Sequence, residues 1–296
     1  FSEWLLDPAN ADGAVAAKLQ ADDEFDQADA VHSVLTTSFM RGLAVFDHAL
    51  TTGDSEVAEQ ARARLFATAR AAQDLNAVSH WWMATLAAHL VDELWSMSLH
   101  RQLPGLPFGD SDHARWHEIR RGYIQCLRGG KRAAIELWPS QLAAAKRSQD
   151  LTDDLVVALP TSAGKTRIAE LCILRTLAAD KRVVYVTPLR ALSAQVERDL
   201  SESLQPLGFS VSSLYGSAGI ESGDEETLRD GRVVVSTPEK LDFALRNDPT
   251  LIDDVGLIVL DEGHMLGPNE REVRYEALVQ RLVRRPDAAE RRLVCL

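Results

Sequence analysis

The sequence has little of what would mark it as a secreted, membrane-bound or metal-stapled protein. Its cysteines, Cys126, Cys172 and Cys295, are odd in number and widely spaced. They carry neither zinc nor disulfide spacing, which fits a reducing, cytoplasmic interior. No apolar run approaches the roughly 20 residues that cross a bilayer, so no membrane association is expected. The opening FSEWLLDPAN lacks the basic stretch and apolar core of an export signal, and Phe1 in place of Met fits an excerpt or a processed chain.

Positive charge is also scarce, at a net −12 over 296 residues. The deficit is unevenly divided. Residues 1–110 carry sixteen Asp/Glu against six Lys/Arg, and residues 111–296 stand at only −2 with twenty-six basic side chains. Acidity of this kind governs solubility and non-specific association without forbidding a phosphate-tracking groove in the second part. The length suits one large or two modest domains.

Two domains are expected, 1–110 all-helical and 111–296 α/β. From Val31 the apolar positions Leu35, Phe39, Leu43, Phe46 and Leu50 step by three or four, as one helix face does. Gly53 suits a C-terminal cap, and Asp54 or Ser55 can cap the next helix, with Val57, Ala61, Leu65, Ala69 and Ala72. A third helix over about 78–100 carries Trp82, Leu86, Leu90, Leu94 and Met97; Trp81, Trp82 and Trp95 are expected as core anchors. The Pro/Gly-rich Arg101–Asp112 marks the boundary, followed by a helix from about His113 to Leu127.

Beyond it, short β-rich runs alternate with helical segments: 155–159, 182–187, 209–215, 232–237, 256–261 and 292–296. Alternation of this kind predicts βαβ units and a mostly parallel sheet, covered by helices on both faces. Two motifs fall at strand ends, where such sheets bind ligands. PTSAGKT (Pro160, Thr161, Ser162, Ala163, Gly164, Lys165, Thr166) reads as a phosphate-binding loop. Backbone N–H groups and a helix N-terminus cradle phosphates, Lys165 reaches the terminal ones, and the Thr166 hydroxyl meets Mg²⁺. LIVLDEGH is an apolar strand ending in carboxylates Asp261 and Glu262, suited to holding a metal and orienting water. With Lys165 and Asp261 96 residues apart and in this order, the pair points to a nucleotide hydrolase. Leu159 stands where the common loop pattern has glycine.

Between them lie TPLRALSAQ (187–195) and STPEK (236–240), each following a strand and opening a helix. Free N–H groups at such helix starts can hold a phosphodiester backbone without reading its sequence. Taken singly, Pro188 and Pro238 are ordinary helix-start prolines.

LWPSQ, PTSAGKT, PLRALSAQ, STPEK and DEGH, in this order over about 131–296, resemble the first RecA-like domain of a superfamily 2 DExH-box helicase of the superkiller-like branch. Superfamily 2 helicases usually lack that loop glycine, and the three cysteines disfavour iron–sulfur helicases. The helical front joined to such a motor is similar to bacterial antiviral helicases such as the large subunit of the Hachiman system. The resemblance implies a P-loop RecA-like fold and ATP and Mg²⁺ as cofactors. Lys165 and Thr166 would bind phosphate and metal, Asp261 would hold the metal through water, Glu262 would position or activate the attacking water, and His264 would relay nucleotide state. Gln141 matches the adenine-reading glutamine, with Trp138 beside the base; otherwise it is a solvated helical residue. Arg190, Thr237 and Lys240 would contact a DNA or RNA backbone. Gly263 replaces the commoner Ala or Val. A second RecA-like domain would follow Leu296. The acidic front is expected to meet a protein partner or the motor. A nucleotide-sensing scaffold and a restriction-type duplex translocase remain alternatives.

Overall fold

The computed structural model describes residues 2–7, 9, 10, 12, 13, 16, 27–107, 109–130, 134–160, 163–214, 224–265 and 269–296. They form two compact units that meet in sequence at Arg101/Gln102, nine residues ahead of the boundary expected from composition.

The first unit is helical: α1 (Ser2–Leu6), α2 (Gln27–Thr52), α3 (Ser55–Asp74), α4 (Val78–Met97) and α5 (Leu99–Gln102). Gly53 turns the chain with φ +75°, a conformation that suits glycine because it has no Cβ. The Asp54 carboxylate then accepts from Glu56 N (2.8 Å) and Val57 N (3.4 Å), capping α3. The core is lined by small residues: Ala58, Ala61, Ala69, Ala72, Ala84 and Ala88 are buried, with Leu65 and Val91. Gly42 belongs to the same contact, since a Cβ there would lie 2.7 Å from Leu65 Cδ2. This corrects the expected role of the third helix. Trp82, Leu86, Leu90 and Leu94 are exposed, and Trp81 is more than a third exposed. Trp95 packs against the core while only partly buried. Two stripes run along α4, and the alanine stripe wins the interface because short side chains let helix axes approach closely.

The second unit carries α6 (His113–Gly129), α7 (Leu142–Arg147), α8 (Lys165–Ala178), α9 (Arg190–Leu204), α10 (Asp224–Asp230), α11 (Pro238–Asn247) and α12 (Glu270–Val283). They accompany β1 (Leu155–Val156), β2 (Arg182–Val186), β3 (Val211–Leu214), β4 (Val233–Ser236), β5 (Val255–Leu260) and β6 (Arg292–Cys295). The strands pair in the order β1-β6-β5-β2-β4-β3, every pair parallel. Tyr215, at the end of one expected strand, lies outside the described residues. β2 and β4 are buried throughout, and β5 nearly so, as continuous Val/Ile/Leu runs require when both sheet faces are covered. On one face Val184, Val186, Ile258 and Leu260 pack with Leu241, Tyr275 and Leu278.

Because every strand runs the same way, all their carboxyl ends share one edge. The buried Arg292 ties α7 to that sheet. Its guanidinium donates to Ser148 O and Arg147 O, each at 2.9 Å, and to Asp153 O, a cation satisfying the carbonyls of a helix end. Among the described residues no helix is long and apolar enough to cross a membrane.

Candidate active site

The loop after β1 is partly in view: Thr161 and Ser162 lie outside the described residues. Ala163 N donates to Pro160 O at 3.1 Å. Gly164 then takes φ +77° as the N-cap of α8, and Lys165 and Thr166 form the first turn, the hydroxyl-bearing residue exposed. The free N–H groups of that turn give an anion site.

Gln141 closes the loop from behind. Its Nε2 donates to Ala163 O (3.2 Å) and Gly164 O (3.0 Å), and its Oε1 accepts from Trp138 N (2.8 Å). A Cβ on residue 164 would sit 2.2 Å from that nitrogen, so the fit needs glycine. With both amide hydrogens committed and only 5% of the residue exposed, Gln141 is here a strut of the loop rather than a group open to a base. The Trp138 ring, by contrast, is exposed beside it.

Two strands away in the sheet, the turn after β5 presents the carboxylates. Asp261 N continues the ladder by donating to Val186 O at 2.8 Å. Asp261 Oδ1 accepts from Glu262 N (2.9 Å) and Oδ2 from the Tyr185 hydroxyl (3.1 Å). Tyr275 donates to the Asp261 main-chain oxygen at 2.8 Å. Burial raises the Asp261 carboxyl above the ordinary range, helped by the Glu262 charge and opposed by the Glu262 N–H, the Tyr185 hydroxyl and Lys165. Burial and the Asp261 charge likewise push the Tyr185 hydroxyl well up, so it remains a donor. Glu262 sits at φ +51°, a left-handed conformation uncommon for a side-chain-bearing residue and often found at functional turns. Its Oε2 lies 3.2 Å from His264 Nδ1, and the imidazole is 73% exposed.

β6 fills the space between loop and turn. Gly263 N donates to Leu296 O at 2.9 Å. A Cβ on Gly263 would meet Cys295 Sγ at 2.0 Å, so glycine here accommodates the thiol. Burial raises the pKa of that thiol, with Lys165 opposing. The donors suit a magnesium–nucleotide complex. A hydroxyl and a half-buried carboxylate are hard oxygen ligands, and Mg²⁺ typically takes few protein ligands beside phosphates. Among the described residues no cluster of three or more His, Cys, Asp or Glu forms a metal site of its own.

The expected nucleic-acid contacts are less open. Arg190 begins α9, and its side chain lies outside the described residues. Thr237 and Lys240 are buried, so their side chains do not present themselves to a strand. The first turn of α11 also carries Glu239. Among the described residues, the helix-start backbone of α9 and α11 lies on that edge.

Tyr185, Tyr275 and Cys295 were not singled out from the sequence. The available signal was a tyrosine inside the buried run VVYV, whose hydroxyl must find a partner.

Comparison with known proteins agrees with this fold. The Hachiman protein HamB of Bacillus cereus is 32% identical over 212 residues, covering 71% of this chain and 18% of that protein. That stretch exceeds the length of residues 102–296, so the likeness runs into the helical unit. The ATP-dependent DNA helicase Hel308 of Pyrococcus abyssi is 31% identical over 52% of this chain and 21% of its own length. The DUF1998 helicase MrfA, solved bound to DNA, shares the fold at a TM-score of 0.50 and 22% identity, over 65% of this chain and 27% of that one. The chain therefore spans about a fifth of the length of these curated relatives. DEAD/DEAH box helicase is the family that matches residues 138–296, more than half of the sequence. With a RecA-like parallel sheet and the loop and carboxylate turn on one edge, this chain belongs to the DEAD/DEAH box helicase family.

Proposed function

We propose that this chain is the first motor domain, with an accessory helical domain, of an ATP-dependent nucleic-acid helicase or translocase. The observation that carries the reading is the convergence of the Gly164–Thr166 helix start and the Asp261–Glu262 turn on one sheet edge. Lys165 meets the terminal phosphates, and Thr166 and Asp261 hold Mg²⁺, which when bound neutralises phosphate charge. Glu262 orients the attacking water and takes its proton, and His264, in contact with Glu262, passes nucleotide state towards the strand-binding edge. Polynucleotide is held mainly by backbone N–H groups at the starts of α9 and α11, with Arg190 contributing. The likeness to HamB through part of the helical unit favours a defence helicase of the Hachiman kind, acting in the cytoplasm. The acidic front, residues 1–110, then serves a protein partner.

Replacing Lys165 with Ala in the intact protein tests the reading. Binding of a fluorescent ATP analogue in the presence of Mg²⁺ should fall steeply, since the fixed charge at the β/γ-phosphates is gone. Undiminished binding would remove the phosphate-loop assignment.

A further inference from the structure

The register of β2 against β5 places a tyrosine on the metal-binding carboxylate. Tyr185 pairs with Val259. Side chains alternate faces along a strand, so Val259 and Asp261 share a face, and Tyr185 points to the same side. Asp261 thus lies diagonally, two residues beyond that partner on the same face, within reach of a tyrosine side chain. The hydroxyl spans that gap, donating to Asp261 Oδ2 at 3.1 Å. Glu262 N takes the other oxygen at 2.9 Å. One donor on each oxygen leaves the carboxylate little freedom to rotate.

Tyr275 supplies a natural comparison. It packs among the residues of the opposite sheet face and donates to the Asp261 main-chain oxygen, not to its carboxylate. Each tyrosine thus contributes one buried hydroxyl to the same aspartate. One bond bears on the carboxylate's aim and the other on the course of the backbone.

We propose that Tyr185 is a positioning residue whose hydroxyl sets the orientation in which Asp261 meets Mg²⁺, an inference that rests on the nucleotide-site reading above. Partners that orient a metal ligand without touching the metal typically change metal affinity 10–100-fold when removed. Phenylalanine keeps the ring that packs between strands, so Tyr185→Phe removes little besides the donor.

The test is a titration of Mg²⁺ against binding of a fluorescent ATP analogue to the intact protein. Tyr185→Phe and Tyr275→Phe are compared with the unaltered chain, and thermal melting is recorded for all three. In Tyr185→Phe the half-saturating Mg²⁺ concentration should rise about 10-fold, with nucleotide binding recovered at high Mg²⁺. In Tyr275→Phe that midpoint should stay within about twofold, although the melting temperature falls comparably. A purely structural hydroxyl would lower melting in both and shift the Mg²⁺ midpoint in neither, and that result overturns the proposal. Equal shifts in both variants would overturn it too. If the unaltered protein binds the analogue without regard to Mg²⁺, the site reading fails and this inference fails with it.

Discussion

The two units bury opposite kinds of side chain. In the helical unit alanines line much of the contact, beside Leu35, Phe46 and Leu65, while the tryptophans and leucines of the outer stripe of α4 stand outside. In the sheet unit Val, Ile and Leu fill the centre, and the chemically active groups gather on one edge. The difference follows from geometry. Helices whose axes come close need small residues at the contact, as Gly42 against Leu65 shows. A parallel sheet covered on both faces needs bulky residues in unbroken runs. Apolar spacing therefore identifies the inside of the second unit and of α2 and α3, where Leu35, Phe46 and Leu65 are buried, and misidentifies that of α4.

The sharpest way to separate scaffold from chemistry is at the carboxylate turn, where the largest effect is expected. Glu262→Gln keeps size and hydrogen bonding, so ATP binding should survive. Loss of a general base typically costs about 10²–10⁴-fold in rate. Nucleic-acid-stimulated hydrolysis in the intact protein should fall by that much in single-turnover assays. Near-normal turnover would reduce Glu262 to a strand-end residue, despite its left-handed backbone.

Packing predictions follow on either side of the comparison. Ile258 is fully buried in the middle of β5. Truncation to Ala should cost about 2–5 kcal/mol by urea denaturation, from lost burial and the cavity left behind. A loss below about 1 kcal/mol would show a sheet core looser than its close register implies. Ala88, fully buried in α4, tests the other mode. Leucine is nearly as good a helix former as alanine, so Ala88→Leu isolates the steric effect. Overpacking should destabilise by about 1–3 kcal/mol, and stabilisation would mean the alanine contact has room to spare.

Legibility in the sequence follows the same division. All six strands were readable because each is an apolar, β-rich run between turn signals. Their ends were not: β1 keeps only Leu155–Val156 of the expected 155–159. The two nucleotide motifs were readable because each is local. What converges on them was not, since Tyr185 is 76 residues from Asp261 and meets it only through the β2–β5 register. Gln141 carries a legible motif, but its bonds to Ala163 and Gly164, 22 and 23 residues on, are tertiary. In the helical unit the caps at Gly53 and Asp54 were local and legible. The choice between two stripes on α4 was tertiary and was not.

The smallest effect is expected on that outer stripe, where a near-zero result is informative. Leu86 is 51% exposed and Trp82 59%. Surface changes away from special features usually stay within about 0.5 kcal/mol. Leu86→Ser in the intact protein should therefore leave the urea midpoint almost unmoved, a little below the original because serine is a poorer helix former. Trp82→Ser should behave alike, although it also removes one ring of the tilted Trp81–Trp82 pair, whose centroids are 6.1 Å apart. A loss of about 2 kcal/mol or more in either variant would match burial of a large apolar side chain. The stripe would then be an inside surface in the intact protein, and the contrast between an alanine-packed helical unit and an aliphatic-packed sheet unit would fail. A midpoint that stays put, together with higher solubility of the serine variants, would keep the contrast and leave the exposed apolar residues of α4 as surface in the intact protein.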